Sequence, residues 1–422
     1  MEPDNPPLVA PTVEGVPPVL EGTPPSEAQD ATRGLLGATV SMVAFRAVST
    51  LGLVLVSVIT ARQLQPQGRG VLVLLVAIAS FGVLLSSLGV NVAARVHLVA
   101  PMDRIECGDY LGLAGTLTVL QMVVCAALGL ILLPLVKVTL SFWMLGLFAL
   151  LGASLLGQYM LNDALNAYGH TTMATSVEAG GSALQLVLVL FLAVSDEQRI
   201  SAFVGALIVA NGAQVVAGLA VLRSRQVAVW PRYNRIAWRR LLRSGLPGIP
   251  TALGQLLTFR IDRYLVGLFL SPAAVGIYSV AATAPEMLRL PSLALGQPIL
   301  YRLASGSARP EHFRRIRMMC MALTVAMAAV VFALAPFAVR VVFGPEYLGA
   351  VTPLRVLLLG EAGIAVFYLD GAVLMGTNRL RHVAVAAMSG LAVVVLLDVG
   401  LIPRFGLAGA AWASVAAYSA MG

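Results

Sequence analysis

Apolar runs recur from residue 36 to the end of the chain, separated by short polar connections. A bilayer core of roughly 30 Å needs about 20 apolar residues per helix. Twelve runs fit that length: 36–60, 71–94, 111–133, 140–161, 174–194, 201–222, 245–270, 273–302, 316–341, 351–376, 383–402 and 407–422. The last holds 16 residues without a basic flank, so either the final helix is abbreviated or the chain is cut short there. Hydrophobic residues make up 59% of the sequence and charged residues 11%, against about 25% charged in a soluble domain. No water-soluble fold covers that much apolar surface. The expectation is an all-α polytopic membrane protein of about twelve spans.

The net charge is +8, carried almost wholly by arginine, because Lys137 is the only lysine. Alternate connections differ sharply in charge. About 17 arginines fall on one side (Arg33, Arg95, Arg104, the loops 223–243 and 302–317, Arg379 and Arg381) and about six basic residues on the other. The positive-inside rule then puts the N-terminus and the arginine-rich loops in the cytoplasm of a multi-pass plasma-membrane protein. The basic charge is explained by topology and calls for no nucleic acid. Residues 1–33 hold many prolines and six acids, a composition that cannot bury a core, and are expected to be a disordered cytoplasmic tail. They lack the basic start and apolar core of a secretory signal.

The two halves are related. Residues 61–71 read ARQLQPQGRGV and residues 267–277 read GLFLSPAAVGI. At an offset of 206, Leu64 matches Leu270, Pro66 matches Pro272 and Gly70 matches Gly276. Each segment joins two apolar runs, and each second run ends in arginine, Arg95 or Arg302. Six spans per half is an even number, so both halves enter the membrane the same way round. This predicts two parallel six-helix bundles, 34–222 and 244–422, around a central cavity, with 223–243 as a basic linker. Contact of that linker with anionic headgroups is the simplest role for its seven arginines.

Ionisable groups at membrane depth are costly and point to function. Arg46 lies ten residues into the first run, about 15 Å deep at 1.5 Å per residue. Arg260 and Arg263 in FRIDRY are three apart and share a helix face. Arg289 follows in the eighth run. These four arginines are the candidate cationic binding groups, since guanidinium holds phosphate bidentately and stays charged when desolvated. Asp262, Glu286, Glu361 and Asp370 are candidates for ion coupling or structural pairing. Glu286 is expected to pair with Arg289, three residues on, between the kinks of Pro285 and Pro291. Asp398, Arg355 and Glu178 stand near run ends and are expected to snorkel.

Catalytic chemistry finds little support. Cys107, Cys125 and Cys320 are far apart, and the four histidines form no ligand spacing, so neither a metal nor a cofactor is expected. No Walker loop, dinucleotide fingerprint or nucleophile–base pair is present.

Three stretches give a resemblance: 59–100 (ITARQLQPQGRGV through ARVHLVA), 242–282 (LRSGLPGIPTALGQLLTFRIDRYLVGLFLSPAAVGIYSVAA), and 342–360 (VFGPEYLGAVTPLRVLLLG) with 402–414 (IPRFGLAGAAWAS). The sequence resembles the polysaccharide-export flippases of the multidrug/oligosaccharidyl-lipid/polysaccharide (MOP) superfamily, the group of the O-antigen flippases. The resemblance implies twelve to fourteen helices and alternating-access movement of a lipid-diphosphate-linked oligosaccharide to the outer leaflet. Its partners would be that glycan, membrane lipids and glycan-assembly enzymes. A drug/cation antiporter on the same fold, or a polysaccharide polymerase or ligase, is the alternative; the antiporter would favour acids over arginines in its cleft.

Overall fold

The computed structural model describes residues 25–98, 105–304, 313–377 and 379–422. Thirteen α-helices run through these residues: α1 (Pro25–Ser87), α2 (Val90–His97), α3 (Cys107–Leu135), α4 (Phe142–Ala167), α5 (Thr171–Val194), α6 (Ile200–Ser224), α7 (Arg235–Gly245), α8 (Ile249–Phe269), α9 (Pro272–Leu288), α10 (Leu290–Ala304), α11 (Arg314–Ala338), α12 (Val351–Gly376) and α13 (Leu380–Met421). A π-turn (Val339–Phe343) and a 3-10 turn (Pro345–Ala350) join α11 to α12.

Two of these helices are double. In α1 the helix breaks at Gln65, whose φ is 56°, ahead of Pro66, which lacks a backbone donor. In α13 it breaks at Gly406, with φ 59°, just beyond Pro403. Eight helices are long and apolar enough to cross a membrane by length and composition, α1 and α13 among them. Counting each double helix as two crossings and adding α8 and the bent α9–α10 pair gives twelve. Three charges in the middle of α8 explain why apolarity alone passes over it.

Two boundaries differ from expectation. Helix α1 starts at Pro25, so its first turns reach back into the 1–33 tail; residues 1–24 lie outside the described part. The linker 223–243 is largely helical, because α6 runs to Ser224 and α7 fills Arg235–Gly245. Asn234 explains that second start: its side chain accepts from the amides of Ile236 and Ala237, an N-cap that a search for apolar runs passes over.

Helices α1 to α6 pack on one another, and so do α8 to α13; the main crossing between the two sets is α1 on α9. The repeat explains it. A Cβ on Gly70 would fall on the Pro272 carbonyl, and one on Gly276 would fall on the Pro66 carbonyl. The residues matched at offset 206 therefore meet each other reciprocally, as positions on a two-fold axis must. Only glycine lets two helix backbones approach this closely.

Four hydrogen bonds join the two bundles at the same end. The Tyr347 hydroxyl donates to the Ala61 carbonyl at 2.8 Å. Arg62 Nε donates to the Val342 carbonyl at 2.8 Å, and its Nη2 to that of Val341. The Tyr264 hydroxyl reaches the Leu132 carbonyl at 3.4 Å. This is the end with few basic residues.

Candidate functional site

The deepest charges gather where α8, α9 and α12 meet. Glu286 of α9 forms ion pairs with two arginines of α8, a close one with Arg263 and a looser one with Arg260 at 3.8 Å. Arg263 is buried, whereas Arg260 and Glu286 are both half-exposed. The expected face shared by Arg260 and Arg263 is present, and it converges on one carboxylate.

Arg289 does not pair with Glu286. It is the C-cap of α9 and keeps right-handed helical dihedrals (φ −77°, ψ −18°), so its spacing from Glu286 alone does not exclude the i, i+3 pair. Its guanidinium turns to α12 and grips Glu361 with two nitrogens, Nη2 at 2.9 Å from Oε1 and Nε at 3.1 Å from Oε2. Glu361 is fully buried. The guanidinium carbon also sits 4.9 Å from the Phe259 ring centre and 5.1 Å from that of Tyr418. Two aromatic faces and a bidentate carboxylate replace the water that this cation has lost. Sequence reasoning missed both rings, because α8 and the end of α13 come together only in the fold.

Asp262, on another face of α8, accepts from the Arg263 amide at 2.7 Å and lies within electrostatic reach of Tyr278 of α9. Asp398 corrects an expectation outright. It does not snorkel: it is fully buried, and neither carboxyl oxygen has a hydrogen-bond partner. Asp262 and Asp398 lie within electrostatic reach of each other. Position in the run suggested a helix end, but α13 continues eight residues further to Gly406, and α8 packs along it.

Arg69, beside the break in α1, turns inward. Its Nη1 donates to Thr60 Oγ1 at 2.6 Å and its Nη2 to Ser57 Oγ at 2.9 Å, while Nε is buried without a partner. It stands close enough to Arg263 and Glu286 to act on them electrostatically.

Arg46 belongs to the other bundle. It is exposed and lies 3.3 Å from Glu178 of α5, which gives that acid a partner in place of snorkelling. Asp370 is also outside the cluster, half-exposed and held by Arg317 of α11 at 2.8 Å. Arg355 donates to the Phe332 carbonyl at 3.1 Å and lies over that ring.

The four expected arginines therefore do not form one uncompensated patch. Each faces a carboxylate, for a physical reason: an unpaired charge in low dielectric costs several kcal/mol. Among the described residues no group of three or more His, Cys, Asp or Glu could hold a metal.

Residues 36–294 match the family of polysaccharide biosynthesis proteins, well over half of the chain. The chain belongs to that family. No curated protein matches this family member. Its fold is shared with solved MOP transporters. Against an inward-facing multidrug resistance MATE family transporter the TM-score is 0.66 at 14% identity, covering 91% of this chain and 95% of that one. Against the lipid II flippase MurJ in an inward closed conformation it is 0.70 at 12% identity, covering 91% and 85%. A Vibrio cholerae MATE transporter gives 0.66 at 15%, covering 91% and 94%. This polysaccharide biosynthesis family member has the helices of a multi-pass membrane protein and the fold of the solved MOP transporters.

Proposed function

We propose that this protein carries a lipid-diphosphate-linked oligosaccharide from the cytoplasmic to the outer leaflet of the plasma membrane. The observation that carries the reading is the uneven pairing of the arginines. Arg263 and Arg289 are buried against carboxylates and hold helices together. Arg260 is half-exposed, 3.8 Å from a carboxylate that another arginine already grips. An arriving diphosphate could take Arg260 from Glu286 at small loss, since Glu286 keeps Arg263. Exposed Arg46 offers a second such cation from the opposite bundle.

The positive-inside assignment makes the bonded end external. Outward movement of an anion is downhill in a cell that is negative inside, by about 2.3 kcal/mol per charge per 100 mV. Arg46→Ala and Arg260→Ala are each expected to lower surface polysaccharide several-fold at normal protein level. Full export by both variants would remove these residues from the mechanism.

Asp398 favours cation coupling in addition. Two buried carboxyls near each other, one without any partner, are stable when a proton or a monovalent cation lies between them. Asp398→Asn is expected to fold normally and to abolish the dependence of transport on a proton or sodium gradient in proteoliposomes. Gradient dependence unchanged in that variant would leave membrane potential as the driving force.

A further inference from the structure

Helix α7 is held on one side and bare on the other. Ala237, Leu241 and Gly245 are buried, and the helix packs on α2 and α3. Its start is tied down twice by Asp109, whose Oδ2 accepts from Asn234 at 2.9 Å and whose carbonyl accepts from the Trp238 indole at 2.9 Å. Arg232 adds an ion pair to Glu106 at 2.6 Å. At its far end Gly245 lies against the backbone of Gly89, so closely that neither could carry a side chain.

Arg235, Arg239 and Arg243 follow at four-residue intervals and are all exposed. Residues four apart share a helix face, so these three form one stripe. Beside it Ile236 is 76% exposed, and just ahead Trp230 and Tyr233 are 72% and 73% exposed. No acidic residue occurs from Arg223 to Ser244. Trp and Tyr beside arginine, with an apolar side chain left bare, make up the surface of a helix lying in a bilayer interface. The helix also stands between two membrane-spanning helices, α6 and α8, which fixes it at the level of the headgroups.

We infer that the arginine stripe of α7 is a binding surface for anionic phospholipid headgroups of the cytoplasmic leaflet, with Trp230 and Tyr233 seated among the headgroups. The inference rests on the sidedness proposed above. It does not depend on the glycan. The anionic leaflet is the cytoplasmic one, so charge and side agree. Each basic residue near such a surface gives roughly a fivefold preference, and three give roughly a hundredfold.

The test uses the full-length protein in nanodiscs containing brominated phosphatidylglycerol or brominated phosphatidylcholine at equal mole fraction. Emission from Trp230 is isolated as the difference between the wild type and Trp230→Phe. Brominated phosphatidylglycerol is expected to quench it far more strongly. Changing Arg235, Arg239 and Arg243 together to Gln should erase the preference, and changing all three to Lys should retain most of it. The buried seat of α7 is untouched in both variants, and elution as one symmetric peak checks their fold. Equal quenching by the two lipids, a preference that survives the Gln variant, or no quenching by either would overturn the inference. The last result is what a helix raised off the bilayer to receive an acidic protein would give. Because no glycan is present, this outcome is separate from that of the export assay.

Discussion

Arg289 and Arg260 are both guanidinium groups in the same cluster, yet they are expected to respond oppositely to mutation. Arg289 and Glu361 are buried together, and losing one partner leaves the other desolvated and unpaired. Breaking such a pair costs about 3–5 kcal/mol. Glu361→Ala is therefore expected to lower the midpoint of thermal unfolding in detergent clearly, and the double change of Glu361→Ala with Arg289→Met to recover much of it. An unchanged midpoint in Glu361→Ala would mean that water already reaches Arg289. Asp370→Ala, which opens only a half-exposed pair with Arg317, should cost about 1 kcal/mol or less. The sequence marked Arg260, Arg289, Glu361 and Asp370 as candidates and expected Arg289 to pair with Glu286, whereas it pairs with Glu361. Spacing along one helix predicts only partners on that helix, and Arg289 meets a buried carboxylate on α12 instead.

Among the helices, the crossing of α1 and α9 is the point where sequence and structure explain each other. Three identities at one offset were enough to expose the repeat, because close backbone approach tolerates only glycine, and the residues next to a helix break are held to proline. A side chain at Gly276 would displace the Pro66 carbonyl and force the bundles apart. Gly276→Val is expected to abolish export and reduce stability by about 1–3 kcal/mol, the usual range for overpacking; Gly248→Ala, with open space around it, serves as the tolerated control. If Gly276→Val were fully active, the crossing could not be as tight as described. Helix α7 had a different history. Its arginines were legible as charge, but its helical order depended on the Asn234 cap and on the tie to Asp109, 125 residues away.

Across the whole molecule, four hydrogen bonds join the bundles at one end. Two of the side chains that make them, Arg62 and Tyr347, donate to backbone carbonyls of the opposite bundle. Combining Arg62→Ala with Tyr347→Phe is expected to shift the population toward the opposite, outward-open arrangement. A cysteine placed at Ala61 should then react several-fold faster with an impermeant maleimide than in the otherwise wild-type background. No change in labelling would show that the α1–α9 crossing alone keeps this end closed.

Hydropathy along the chain determined that the protein spans the membrane, and how many times, because a bilayer imposes a fixed length of apolar helix on any sequence that crosses it. The bias of arginine between alternate loops gave the orientation expected, and the repeat gave the symmetry, for the same reason: each is a constraint written locally. Partners across helices are not local. That Asp398 is sealed in without a donor, that Phe259 and Tyr418 enclose Arg289, and that Arg69 turns inward were decided only when distant helices packed. Burial and pairing belong to a pair of surfaces, and neither surface alone contains them.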